Sequence, residues 1–109
     1  MHTLKNYITL IGKIGTEAQY TKFENGKSVA RFKLSTQKTA RNNDGNYREI
    51  TQWHNVFAWG NLAEFIEHYA QKGKNVAIHG RIVNRTYLNP SGLKRNTTEI
   101  EIRNIIGLN

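Results

Sequence analysis

Trp53 and Trp59 stand six residues apart in the run Gln52-Trp53-His54-Asn55-Val56-Phe57-Ala58-Trp59-Gly60-Asn61-Leu62-Ala63-Glu64, and they are the two tryptophans of the chain. The run reads as a strand leading into a helix. Successive side chains of a strand alternate faces, so Trp53, Asn55, Phe57 and Trp59 point one way and His54, Val56 and Ala58 the other. A sheet face with three aromatics and no aliphatic residue is either core or a platform on which flat, anionic-backed ligands stack. The chain carries 16 Lys and Arg against 8 Asp and Glu, a net charge of +8. That balance makes polyanions the default partner, and the aromatics then suggest single-stranded nucleic acid. An exposed aromatic contributes roughly 1–3 kcal/mol per stacked base, and every base has a π-face, so weak sequence preference is expected.

Charge is blocked as well as abundant. Between Glu67 and Glu99 there is no acid, while Lys72, Lys74, Arg81, Arg85, Lys94 and Arg95 all fall there. Lys33, Lys38, Arg41 and Arg48 flank a polar stretch that holds Asp44 as its one acid. Two acid-poor blocks on either side of the aromatic strand would make a groove that tracks a phosphate backbone, with affinity falling as salt rises. Tyr87 precedes a turn, where the core rarely needs an aromatic, and that favours contact with a ligand.

The elements that must position these side chains follow from period and punctuation. Strand patterns begin with residues 1–10 and continue through residues 7–14, where Gly12 and Gly15 mark a bend and an exit. Asn25-Gly26 is a turn between two extended runs. Residues 28–36 alternate, residues 38–46 read as a long mobile hairpin loop, and residues 47–59 form the longest strand. Asn61 with Glu64 three residues later resembles a capping box. Leu62, Phe65, Ile66 and Tyr69 repeat at helical spacing, and Gly73 closes the helix after Lys72. Residues 75–87 and 97–108 read as strands joined through the turn Asn89-Pro90-Ser91-Gly92. The expected fold is therefore all-β: a single domain over 1–109, a five-stranded OB barrel with one short helix between strands 3 and 4.

The spaced motifs Asn25-Gly26-x-x-Val29-Ala30, Thr51-x-Trp53-His54-x-Val56, Trp59-Gly60-x-Leu62-Ala63-Glu64 and Tyr69-x-x-Lys72-Gly73-x-x-Val76-x-Ile78-x-Gly80 carry a resemblance. It continues through Arg85-x-Tyr87, Ser91-Gly92 and Thr97-Thr98-Glu99-Ile100. Together they closely resemble the bacterial single-stranded DNA-binding protein family. The resemblance implies an OB fold, four such folds per assembly, and sequence-tolerant coating of single-stranded DNA in replication, recombination and repair. It places Trp53, Trp59 and Tyr87 at base-stacking positions and Lys72 and Arg85 at or beside phosphate contacts. His54 matches a residue near the family's subunit contacts, and Tyr7 on the first strand belongs to the same expected surface of a homotetramer.

Two departures accompany it. The segment Lys38-Thr39-Ala40-Arg41 lacks the further aromatic often found there, and the chain stops at Gly107-Leu108-Asn109 without the acidic tip through which the family recruits replication and repair proteins. A tail-less member is the expectation.

Other classes fare worse. No cysteine is present, so disulfides and thiolate metal sites are excluded, which fits a cytoplasmic protein, and the resemblance implies a bacterial, nucleoid-associated one. His2, His54, His68 and His79 have no metal-clasping spacing, and no metal or cofactor is expected. No apolar run is long enough to span a membrane. No Ser-His-Asp set or phosphate loop supports an enzyme. A primosome-type accessory protein of the same fold, acting through protein contacts, is the alternative. A nuclease and an RNA chaperone are the more distant rivals.

Overall fold

The computed structural model describes residues 6–108. The expected strand start in residues 1–5 lies outside the described residues. Six strands and one helix follow in the order β1 (Tyr7–Ile14), β2 (Gln19–Lys22), β3 (Ser28–Arg41), β4 (Tyr47–Trp59), α1 (Gly60–Tyr69), β5 (Asn75–Leu88) and β6 (Lys94–Gly107). The extra strand is the short β2, one of the extended runs beside Asn25-Gly26. The helix keeps its expected place in the chain, directly after the strand that carries both tryptophans.

The sheet runs β1-β5-β6-β4-β3-β2, and a short β1–β3 pairing at Lys13 and Ile14 closes it into a barrel. Closure works because every long strand turns one aliphatic row inward. Ala30, Phe32 and Leu34 come from β3, Val56 and Ala58 from β4, Val76 and Ile78 from β5, and Ile100 and Ile102 from β6. Ala63 and Ile66 of α1 plug one end of this core. The barrel must coil sharply, and at Gly80 it leaves no room for a side chain: a Cβ there would run into the carbonyl of Glu101. The β5–β6 register shifts beside it, between His79 and Gly80.

Four expectations change. The helix begins at Gly60, so Asn61 sits inside the first turn and no side chain caps the N-terminus. Glu64 instead accepts a hydrogen bond from the Tyr20 hydroxyl at 3.3 Å. The helix ends at Tyr69, with Ala70 donating back to the Ile66 carbonyl, and Gly73 serves a later turn from which its N–H reaches Ile14. Phe65 faces solvent, stacked on Tyr69 with ring centroids 5.1 Å apart, and Ala63 takes the core position expected for it.

The fourth change is the largest. Residues 38–46 are not a long loop, because β3 and β4 stay paired from Val29↔Trp59 out to Arg41↔Tyr47, leaving a turn of residues 42–46. Beyond Thr36 this ribbon has no core beneath it. It is held by its ladder and by cross-strand pairs such as Thr39 Oγ1 to Glu49 at 3.0 Å and Thr51 Oγ1 to Gln37 at 3.2 Å. β5 and β6 form a second long ribbon, ending at Leu88↔Lys94.

Candidate nucleic-acid interface

The unbroken β3–β4 register carries strand parity without interruption from Tyr47 to Trp59. Arg31, Lys33, Ser35 and Arg41 of β3 therefore share an outer face with Tyr47, Trp53, Asn55, Phe57 and Trp59 of β4. β6 pairs parallel to β4 through Asn55↔Glu99 and Phe57↔Glu101, and antiparallel to β5 through Val83↔Glu99, Arg85↔Thr97 and Tyr87↔Arg95. Register alone thus gathers Trp53, Trp59, Tyr87, Arg85, Lys33 and Arg41 on one surface that crosses four strands. Arg48 has the opposite parity and lies on the other face of β4. Lys72 sits in the turn after α1.

Trp53 is 58% exposed, Tyr87 49% and Trp59 43%. None of them belongs to the core. The Trp53 indole lies against Gly15 at the end of β1, where any Cβ would strike the ring. Gly15 is thus the floor of this platform, a role its isolated position in the sequence does not signal. Trp59 borders a hollow of about 340 Å³ shared with Lys27, Ser28 and Gly60.

Phe57 behaves differently although its parity is the same. It is 3% exposed yet lies outside the core cluster. Two guanidiniums cover it: Arg31 at 5.0 Å from the ring centroid and Arg85 at 5.8 Å. Both are anchored by one carboxylate. Glu99 Oε2 lies 2.6 Å from Arg31 Nη1, and Oε1 lies 3.2 Å from Arg85 Nε. Phe57 also meets Trp59 edge to face, 6.3 Å between centroids. The centre of the face is thus a flat basic tile, made of two arginines over a ring with a carboxylate beneath them. A groove of about 390 Å³ opens beside it, lined by Arg31, Lys33, Asn55, Glu99, by Thr16 and Glu17 ahead of β2, and by Gln19 at its start.

Two residues apart on β6, Glu99 and Glu101 would be the polar side of an edge strand if β6 lay at the edge. They do share a face, but β6 is interior to the sheet, with β4 on one side and β5 on the other. Cations converge on each carboxylate: Arg85 of β5 and Arg31 of β3 on Glu99, and Arg81 of β5 at 3.1 Å and Arg103 of β6 itself at 3.5 Å on Glu101. Arg31 and Glu99 are site residues that local pattern does not reveal. Their pairing depends on a parallel β4–β6 contact between residues more than forty positions apart.

His54 faces away from this surface. It is half-buried, with Nε2 2.9 Å from the Thr36 hydroxyl. Tyr7 stacks on His79, with centroids 5.5 Å apart and planes 8° from parallel, while Thr9 Oγ1 lies 2.8 Å from His79 Nδ1. Among the described residues no group of His, Cys, Asp and Glu could hold a metal ion, and no helix is long and apolar enough to cross a membrane.

A family model described as the single-strand binding protein family matches residues 5–108. The chain belongs to that family. Relatives of this family member include single-stranded DNA-binding protein 1 of Chlorobaculum tepidum, 38% identical over 96 residues, which cover 87% of this chain and 59% of that protein. The single-stranded DNA-binding protein of Bacteroides thetaiotaomicron is 35% identical over 102 residues, covering 92% and 63%. The chain thus spans about three fifths of the length of these relatives. Among solved structures, Plasmodium falciparum SSB in complex with ssDNA matches with a TM-score of 0.88 at 27% identity, covering 100% of this chain and 99% of that one. A deletion mutant of the Thermus aquaticus single-stranded DNA binding protein matches in fold, with a TM-score of 0.83 at 22% identity over 95% of this chain and 50% of that chain.

Proposed function

We propose that this chain binds and coats single-stranded DNA without sequence specificity. Bases stack on Trp53, Trp59 and Tyr87, and phosphates follow Lys33, Arg41 and Arg85. The observation that carries this reading is the single face on which register collects three exposed aromatics with guanidiniums between them. Flat hydrophobic rings left in water beside fixed cations suit a ligand that alternates bases and phosphates. Arg48 and Lys72, off the face, add to the field that draws the polyanion in. The names of the relatives and the ssDNA bound in the Plasmodium falciparum complex support the same reading. Roles in replication, recombination and repair, in a bacterial cytoplasm, accompany it. The exposed rings speak against a role exercised mainly through protein contacts.

The test is tryptophan fluorescence during titration with a long oligo-dT, repeated with duplex DNA and at two salt concentrations. Quenching by the single strand alone, weakened by salt, is the expected result. An equal response to duplex, or none to either, would overturn the assignment of the tryptophans to bases.

We further propose a homo-oligomer, a tetramer, with β1 and His54 at the contacts. β1 is hydrogen-bonded to β5 along its length but to β3 only at its end, so one edge of residues 7–12 has no strand beside it. Ile11, on the same strand, is exposed. An open edge with apolar side chains is a surface that another copy can cover. Replacing His54 by Trp is expected to break its bond to Thr36, displace that surface and lower the mass measured by light scattering at micromolar concentration. An unchanged mass would remove His54 from the contact.

A further inference from the structure

We propose that Tyr47, backed by Arg41 at the tip of the β3–β4 ribbon, is a fourth base-stacking platform; this rests on the single-stranded DNA reading above and extends the path of the strand beyond the barrel. Three independent observations converge on this residue. Tyr47 is the most exposed aromatic among the described residues, at 68%, and no core lies beneath it to explain an aromatic there. Tyr47, Trp53 and Trp59 are spaced by six and six residues on one uninterrupted strand, so all three face the same way at intervals of about 20 Å. Arg41 is its cross-strand partner, with the guanidinium 5.8 Å from the ring centroid.

The chemistry of the pair matches that of the barrel face. A guanidinium against one side of a ring holds its orientation and leaves the rest of the ring to solvent. A base can then stack on the open surface while the phosphate beside it meets the same arginine. This ring remains two-thirds exposed after making its one ring contact.

The experiment measures affinity for a long, end-labelled oligo-dT by anisotropy across a series of salt concentrations, for the full chain and for Tyr47→Ala, Tyr47→Phe and Arg41→Ala. A stacked base releases no counterion, so Tyr47→Ala is expected to weaken binding about five- to 150-fold at every salt concentration, leaving the slope of log K against log salt unchanged. Tyr47→Phe keeps the π-face and is expected to restore affinity. Arg41→Ala is expected to make the slope shallower by about 0.7, one phosphate's share. Superimposed lines for the full chain and Tyr47→Ala would overturn the proposal. So would a changed slope in Tyr47→Ala, which would mean that the ring serves only to hold Arg41, or a loss that Tyr47→Phe fails to restore. In those cases the unmodified chain still binds and the coating function stands. If the unmodified chain does not bind oligo-dT, the coating function fails first and this platform with it.

Discussion

Replacing Arg31 and Arg85 together by Met is expected to destabilise the fold by about 1–3 kcal/mol, a substantial part of the roughly 5–15 kcal/mol that holds a domain of this size together. The side chain of Glu99 is 11% exposed, and these two guanidiniums are its ion-pair partners. Removing both leaves a carboxylate enclosed by β4, β5 and β6 with nothing to offset its lost hydration. Met keeps an apolar stem over Phe57, so packing changes little and the loss reports the stranded charge. Adding Glu99→Met to the pair is therefore expected to recover most of the stability, since replacing a whole buried ionic cluster by apolar residues is often neutral or better. Urea denaturation of the double and triple variants reads both effects. A double variant that unfolds like the unmodified chain would show that Glu99 does not depend on the arginines. The triple variant then isolates function: folded but without Arg85, the one of the two arginines on the proposed phosphate path, it is expected to bind DNA with a salt slope shallower by about 0.7.

The combined loss of Trp53 and Trp59 is the largest expected effect on binding. Six strand residues separate them by about 20 Å, too far for direct coupling, so the two losses are expected to add. At roughly 1–3 kcal/mol per stacked base, Trp53→Ala with Trp59→Ala is expected to cost about 2–6 kcal/mol of oligo-dT affinity. Neither ring is in the core, so the melting temperature and the assembled mass are expected to hold. Labelled-DNA anisotropy with calorimetry on the same variant provides the comparison. Full affinity, or a collapse of stability, would return the two indoles to a packing role.

What the sequence made legible was local and periodic. Alternation along residues 47–59 correctly placed Trp53 and Trp59 on one side because β4 runs without a bulge, so parity survives its whole length. The lone helix stood out because Ile66 and Tyr69 recur at helical spacing after a strand. Residues 38–46 were illegible for a physical reason: a two-stranded ribbon wet on both faces needs no apolar row, so its composition is that of a loop. Asn61 resembled a cap, yet Gly60 with φ of 64° already lets the chain turn into the helix, which moves the boundary by two residues and leaves Trp59 at the cap position. Glu99 was hidden for a different reason. Its importance comes from a parallel pairing with Asn55, and nothing near it in the chain announces a neighbour forty-four positions away.

The two long ribbons give the molecule an uneven mechanics. Its radius of gyration is 16.1 Å, against about 13 Å for a compact domain of 109 residues, and its longest dimension is 57 Å. The excess is in arms whose backbone bonds lie close to water, the kind of structure that opens and flexes at low cost while a packed centre stays shut. Trp59, at the end of β4 beside α1, rides on the stiff hub, whereas Tyr47 and Tyr87 ride on compliant levers. A polymer laid across such a body would meet two fixed anchors, Trp59 and the Trp53 ring seated on Gly15, and two that yield. Bends, kinks and sliding along the strand can then be absorbed at the periphery, and the barrel need not deform to follow them.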